Sequence, residues 1–321
     1  MPSRSDPQPR FEDTRISAAH RAALRSLDRV VGETAAPTPP GEALASTVDQ
    51  LSSGEVLVLT GAGISTDSGI PDYRGDHGSL RRSRPMTFQE FAASPEARKR
   101  YWARGFVGAT RMRQAEPNLS HRIVASWQQR GLLAGIVTQN VDGLHSAAGA
   151  TDVVALHGDM SWVDCLACGH REARTDFEVR LEAANPGFRE SVMSEHLVVN
   201  ADGDVNLDQA DVDRFVILHC LNCGSDRLKP SVVYFGENVA AETRERTRDL
   251  ASHSRSLLVL GSSLAVMSGY RFVLDAEKAG KRTTVINGGP GRADTKVGVL
   301  WRTPLTPALE EVDAALRRAG V

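Results

Sequence analysis

Residues 55–75 read Glu-Val-Leu-Val-Leu-Thr-Gly-Ala-Gly-Ile-Ser-Thr-Asp-Ser-Gly-Ile-Pro-Asp-Tyr-Arg-Gly, and this stretch decides the fold. Val56 to Leu59 is a short apolar run without helical period, held between Gly54 and Gly61, which predicts a buried parallel strand. Gly61 and Gly63 follow at once, where a chain leaving a strand must turn tightly. Lacking Cβ atoms, they let a diphosphate approach backbone N–H groups and a helix N-terminus. Strand plus Gly-x-Gly is a weak signal by itself. Thr66 stands where the third glycine of the dinucleotide fingerprint belongs, and no clear acidic residue ends a second strand about 20 residues on. The continuation is more specific: Gly69-Ile70-Pro71-Asp72-Tyr73-Arg74-Gly75 sets a stiff proline and a paired acid and base directly after the turn.

Outward from this stretch the chain alternates between strands and helices. Residues 1–16 are polar and predict disorder; Ala18 to Val31 has helical spacing, and 35–41 reads as a Pro-rich linker before a helix over Ala43–Leu51. Downstream, helices are predicted over Thr87–Phe91, Pro95–Arg113 and Asn118–Gln129, then strands over Leu132–Val137 and Val153–Leu156. The alternation returns with Ser231–Phe235, Glu242–His253, Leu257–Leu260, Gly269–Ala279, Thr283–Asn287 and a final helix over Pro307–Arg318. Such alternation means an α/β fold, a parallel sheet with helices on both faces, whose ligands sit beyond the carboxyl ends of the strands. Gly61, Gln139–Asp142, His157, Gly261–Ser263 and Asn287–Gly288 all fall at such ends.

Two cysteine pairs, Cys165-x-x-Cys168 and Cys220-x-x-Cys223, have the spacing of a tetrahedral four-sulfur zinc site, with Gly169 and Gly224 placed to form the knuckles. Four ligands would close the shell, so a structural ion is expected; a redox Cys-x-x-Cys is the alternative. The separation of the pairs exceeds the usual 15–20 residues, and the insertion carries the acidic segment Asn200-Ala-Asp-Gly-Asp-Val.

Several motifs together resemble the sirtuins, the NAD-dependent protein deacylases, over residues 50–310. They are Gly61-Ala62-Gly63-x-Ser65, Gly69-Ile-Pro-Asp-Tyr-Arg74, Thr138-Gln139-Asn140-x-Asp142-x-x-His145, Leu156-His157-Gly158, Phe235-Gly236-Glu237 and Gly261-Ser262-Ser263-Leu264. The resemblance implies a Rossmann-like NAD-binding domain from 42–158 and 226–321, a small zinc-binding insertion at 159–225 joined by helices from about 76–115, and a tail and linker at 1–41. It implies NAD as co-substrate, bound by Gly61, Ala62, Gly63, Ser65, Asp72, Tyr73, Arg74, Gln139, Asn140, Asp142, His157, Gly261, Ser262, Ser263, Asn287 and Gly288. His157 would be the general base, with Asn140 and Asp142 acting at the nicotinamide and its ribose. Val232 would line the acyl-lysine tunnel, and Phe235, Gly236 and Glu237 would clamp the peptide as an added strand. The expected products are nicotinamide, O-acyl-ADP-ribose and free lysine, with one structural Zn2+. Many sirtuins carry proline where this chain has Ser268 or Gly269, which leaves the peptide register open.

Tyr73, the long insertion and Tyr101-Trp-Ala-Arg-Gly-Phe-Val resemble class II, the branch of mitochondrial sirtuin 4. Tyr101 and Arg104 sit at i, i+3 and share a helix face. In desuccinylating sirtuins a Tyr-x-x-Arg pair in the corresponding region binds the acyl carboxylate, so acidic or bulky acyl groups are expected here, against the plainer reading of Tyr101 as core and Arg104 as surface charge. Other readings of the same motifs are mono-ADP-ribosyl transfer, hydride transfer with NAD, and a zinc module that only binds partners.

Composition sets outer bounds. The 321 residues suffice for one large core, or one large and one small domain. A net charge of −2 offers no footprint for nucleic acid or an anionic membrane. No apolar run reaches the ~20 residues of a membrane span, and no apolar signal core begins the chain. These bounds point to a cytoplasmic protein; the resemblance implies acyl-lysine proteins as substrates, and a monomer is expected, with the oligomeric state itself unknown from sequence.

Overall fold

The computed structural model describes residues 11–29, 31–75, 78–81, 83–192, 199–201 and 203–321. The expected disorder of 1–10 and the last part of the helix predicted up to Val31, at position 30, lie outside the described residues.

Two helices lead in, α1 (Thr14–Leu27) and α2 (Pro40–Ser52), followed by β1 (Val56–Thr60). Next come α3 (Phe88–Ala93), α4 (Pro95–Gln114), α5 (Leu119–Gln129), β2 (Leu133–Thr138), α6 (Leu144–Ala147) and β3 (Val154–Ala155). The following stretch adds β4 (Gly158–Cys165), β5 (Arg171–Ala173), α7 (Arg174–Ala184), α8 (Phe188–Val192), α9 (Gln209–Arg214) and β6 (Leu228–Val232). The chain closes with α10 (Ala241–His253), β7 (Ser256–Leu260), α11 (Met267–Lys278), β8 (Arg282–Ile286), β9 (Val299–Trp301) and α12 (Leu305–Arg318).

Local chemistry accounts for the helix starts. Thr87 and Glu90 form a reciprocal capping box for α3, Ser94 caps α4 ahead of Pro95, and Asn118 caps α5. Asp13 caps α1 by accepting from the N–H groups of Arg15 and Ile16. The tail is therefore ordered from Thr14, earlier than its polar composition suggested.

Six strands form one parallel sheet in the order β3-β2-β1-β7-β8-β9. Successive residues of β1 serve opposite faces: Val56 and Val58 pack with Trp127, Leu309 and Leu316, whereas Leu57 and Leu59 pack with Tyr270 and Val273. Burial on both faces explains the unbroken apolar run. After β3 the chain returns to place β7 beside β1, so the strand order reverses there, which is where such sheets place a ligand crevice.

Sequence reading missed β9, which is only three residues long but extends the sheet edge. It also assigned Ser231–Phe235 to the alternating series. The structure instead pairs β6 antiparallel with β4, in a second sheet ordered β5-β4-β6. A short apolar run cannot declare which sheet it joins. Phe91, Trp102 and Phe106 from α3 and α4 pack with Phe177, Leu181, Phe215 and Leu228 in a separate core. Trp102 donates from Nε1 to the Leu228 carbonyl at 2.8 Å, and Arg98 meets Asp226 at 2.7 Å.

Candidate active site

The loops after β1 and β7 touch. The Gly63 N–H donates to the Gly261 carbonyl at 2.9 Å. A Cβ on Gly63 would lie 2.8 Å from that oxygen, and one on Gly61 would lie 2.6 Å from the Ser262 Cβ. Both glycines are thus required by loop–loop approach, a reason independent of any phosphate.

Around this contact the other strand ends converge on a cleft of about 1610 Å³. That volume exceeds the roughly 300–1,000 Å³ of a single small-molecule site. Every residue expected at the NAD site lines it, as do Tyr101, Val232, Phe235, Gly236 and Glu237. Arg104, one helical turn beyond Tyr101, is not among the lining residues.

His157 stands at the cleft between two fixed partners. Its Nδ1 lies 2.9 Å from the Gln139 carbonyl, which can only accept, so Nδ1 carries the proton and Nε2 the lone pair. Nε2 lies 2.8 Å from the Ser268 hydroxyl. Burial lowers the imidazole pKa, and the bond to Gln139 opposes this only in part. The ring is a neutral base.

Asp142 is held on both oxygens. Ser65 donates to Oδ2 at 2.7 Å and the Leu144 N–H to Oδ1 at 3.0 Å. Asn140 donates to the Ser65 hydroxyl at 3.0 Å and to the Gly61 carbonyl at 3.2 Å. Gln139 donates to the Ser262 hydroxyl at 2.8 Å, tying the β2 end to the β7 end. Behind this layer, His121 approaches Ser65 at 3.4 Å, and its ring meets that of His145 edge-on at 5.0 Å. His145, part of the sequence motif, is packed against Thr60 rather than placed on the cleft. Burial holds His121 down to about 4 and His145 to about 3.

On the loop after β1, Asp72 accepts from the Gly75 N–H at 3.0 Å, and the Tyr73 ring meets Phe235 edge-on at 6.2 Å. Arg74 donates from Nη2 to the Ser26 carbonyl at 3.1 Å, while its buried Nε has no protein partner among the described residues. An orphaned guanidinium N–H in a cleft walled by hydroxyls, amides and glycine turns suits a ligand rich in phosphate and ribose oxygens, as NAD is.

One wall was invisible in the sequence. Ser26, Leu27, Asp28, Arg29 and Val31, read there as helix and tail, line the same cleft. The segment continues to Glu33, 3.5 Å from Arg302, and to Thr38, whose N–H donates to the Leu300 carbonyl at 2.8 Å. It therefore runs from the loop carrying Arg74 to the β9 edge. Met112, Met160, Ala201 and Tyr234 also line the cleft, the Tyr234 ring lying 5.4 Å from that of Tyr101.

The four cysteines lie apart from the cleft. Their sulfurs are all within 4.8 Å of one another, with Cys165–Cys223 and Cys168–Cys220 each at 3.7 Å. Sulfurs 2.3 Å from a tetrahedral ion would be about 3.8 Å apart, so the cluster fits zinc. The distance is far too long for a disulfide.

Comparison with known proteins agrees with this geometry. The sequence profile of the Sir2 family matches residues 61–268. A relative named NAD-dependent protein deacetylase 1 from Corynebacterium efficiens is 53% identical over 86% of this chain and 98% of its own. Its Streptomyces coelicolor namesake is 50% identical over 86% of this chain and 91% of its own. Among solved structures, one from work on the mechanism and regulation of Sir2 enzymes superposes with a TM-score of 0.68 at 28% identity, covering 87% of this chain and 99% of the other. A complex of Sir2 with a p53 peptide and NAD+ superposes with a TM-score of 0.66 at 27% identity, covering 86% and 98%. With a profile match over more than half its length and deacetylase relatives near half identity, this chain belongs to the Sir2 family and is an NAD-dependent protein deacylase.

Proposed function

We propose that His157 is the general base of the deacylation, that Asn140 and Asp142 hold the nicotinamide end of NAD, and that a zinc ion held by Cys165, Cys168, Cys220 and Cys223 is purely structural. One observation carries this reading. Nδ1 of His157 is committed to a backbone carbonyl, so the basic Nε2 faces the cleft that five strand ends share. NAD bound there would supply an electrophilic ribose carbon with nicotinamide as its leaving group, for attack by the acyl oxygen of the substrate lysine. His157 takes a proton from a ribose hydroxyl, and its lowered pKa keeps it neutral at physiological pH. Asp142, fixed by Ser65 and the Leu144 N–H, keeps acceptor capacity for the carboxamide. The Gly61–Ser65 turn, Arg74, the Gly261–Ser263 loop and Asn287–Gly288 hold the diphosphate and adenosine.

The acyl-lysine peptide docks along Phe235, Gly236 and Glu237. Lys229, buried in β6, pairs with Glu237 at 3.2 Å and fixes this loop to the small sheet. This supports a division into a Rossmann-like domain and a small zinc-bearing domain with α3 and α4 attached. The acyl chain extends past Val232 toward Tyr101, Met112, Met160, Ala201 and Tyr234. That wall is apolar, which supports bulky acyl groups. A Tyr101/Arg104 carboxylate clamp has only its tyrosine on this wall, so acidic acyl groups are the less supported part of the expectation. A reducing cytoplasm fits four unpaired cysteines clustered at metal-ligand spacing, and a monomer is the assembly proposed; no helix among the described residues is long and apolar enough to cross a membrane.

The test is nicotinamide release on one peptide carrying acetyl, succinyl, glutaryl, lipoyl or long-chain acyl lysine. Acyl-dependent release, faster with bulky apolar chains than with glutaryl, is expected. Release indifferent to the acyl group would overturn the deacylase reading of this cleft. A glutaryl preference abolished in Arg104→Met would instead establish the clamp.

A further inference from the structure

We propose that Ser268 is a positioning residue for His157: its hydroxyl donates to Nε2 of the free enzyme, holds the lone pair in one direction, and favours the neutral ring until a ribose hydroxyl takes its place. The inference rests on His157 being the base. Its own ground is separate and geometric. Nδ1 can only donate, because its partner 2.9 Å away is a carbonyl oxygen. Nε2 is then an acceptor, and Ser268 Oγ at 2.8 Å must be the donor. An imidazole nitrogen has one lone pair, lying in the ring plane. Ser268 therefore occupies the position from which a substrate hydroxyl would surrender its proton.

The fold places Ser268 there for a local reason. It is the second residue of α11, directly after the loop that begins at Gly261, so helix and loop together set its distance from the strand end carrying His157. Gly269 beside it is tightly packed, since a Cβ there would lie 2.5 Å from Gln139 Oε1. Gln139 thus bonds His157 through its carbonyl and packs its side chain against Gly269, the residue after Ser268. A proline at 268 would lack the hydroxyl, and the base would lose this donor.

The groups that face His157 are mostly neutral: the Gln139 carbonyl from the β2 end, Ser268 from α11, and the Val233 N–H, which donates to the His157 carbonyl at 2.7 Å. The charged residues lining the same cleft are Asp28 and Arg29 after α1, Asp67, Asp72, Arg74 and Arg81 from the segment after β1, Asp142 from the β2 end, Glu237 from the loop after β6, Arg244 and Arg248 from α10, Arg271 and Asp275 from α11, and Lys281 just beyond it. None of these is a cause of the His157 shift, which burial dominates. A hydroxyl bond to the neutral form adds to burial in the same direction, so its removal raises the pKa.

The decisive comparison is wild type, Ser268→Ala and Ser268→Thr, read as the pH profile of kcat/KM for acyl-peptide deacylation and as a 15N-histidine NMR titration of the full chain without NAD. The kcat/KM limb reports the free enzyme, where the Ser268 bond exists. In Ser268→Ala the acidic limb and the His157 titration should both move up by about half to one pH unit, and Ser268→Thr should return both. Unmoved titrations in Ser268→Ala, or a downward move, overturn the proposal, provided His157→Ala is inactive. If His157→Ala keeps full activity, the base assignment falls and the inference with it. Should Ser268→Ala fail to fold, Ser268→Gly removes the same hydroxyl and is judged by the same two readouts.

Discussion

The cleft and the cysteine cluster are built on opposite principles. In the cleft, His157 takes its partners from positions 18 and 111 residues away in the chain. In the cluster, four sulfurs come from two short knuckles, with Gly169 and Gly224 N–H groups each closing onto the first cysteine carbonyl at 2.9 Å. The cluster can be recognised from local spacing because local backbone geometry makes most of it. The cleft can be recognised only as a set of strand ends, because no single segment contains it. One region should therefore carry chemistry without much stability, and the other stability without chemistry.

The sharpest way to break that contrast is His157→Ala. Deacylation should fall by roughly 10²–10⁴-fold while the melting temperature stays close to wild type. Product formation and a thermal melt check the two halves, and a large loss of stability would show that the regions are not separable. Cys220→Ser should do the reverse. Zinc content should drop, and the small sheet should melt far below wild type, since a structural zinc in a small module is worth on the order of 10 kcal/mol. Activity would be lost only as a consequence, because β6 carries Val232 and leads into the Phe235–Glu237 loop. Zinc-free protein that melts as before would end the structural assignment.

Acid stability tests the layer directly behind the cleft. His121 and His145 are kept neutral by burial, at about 4 and about 3 against an ordinary 6.5. The unfolded chain therefore binds protons first as pH falls. Stability is complete above pH 6.5 and declines from there toward pH 3, by up to roughly 8 kcal/mol if the two shifts act independently. Denaturant melts between pH 7 and pH 4 measure this slope, and His145→Gln should flatten it; an unchanged slope would assign the acid sensitivity elsewhere. The smallest effect is expected at the N-terminal segment. Glu33→Ala with Thr38→Ala removes the ion pair to Arg302 and the Thr38 Oγ1 acceptor of the Leu300 N–H at 3.0 Å; it should raise KM for NAD a few-fold by loosening the wall formed by residues 26–29 and Val31, at a stability cost below about 1 kcal/mol. An unchanged KM would make that wall incidental to NAD.

The two regions also differ in how legible they were. Gly61-Ala-Gly63, Gln139-Asn-x-Asp142 and His157-Gly158 were readable because a tight turn, a polar strand end and a strand-end histidine each need particular residue types in a short window. All of them reach the cleft. Ser268 was not readable as a partner of His157, since a serine near a helix start is ordinarily a cap. The role of Ser26–Val31 left no signal in local spacing: its contacts to Arg74, and those of Glu33 and Thr38 to Arg302 and Leu300, join segments 48 to 269 residues apart. His145 shows the opposite failure. It sits inside a functional motif, yet its ring is buried against Thr60 and His121.

Taken alone, the sequence determined the α/β class, the strand ends that meet at the cleft, the four cysteines that cluster and the family resemblance, because periodicity and close spacing are local properties of the chain. The tertiary structure alone decided that β6 leaves the parallel sheet, that Tyr101 faces the cleft while Arg104 is absent from its lining, and that the N-terminal segment closes a wall. It also decided which nitrogen of His157 is basic. Those outcomes depend on which distant surfaces are buried against one another, and burial at a distance leaves no mark in the spacing of neighbouring residues.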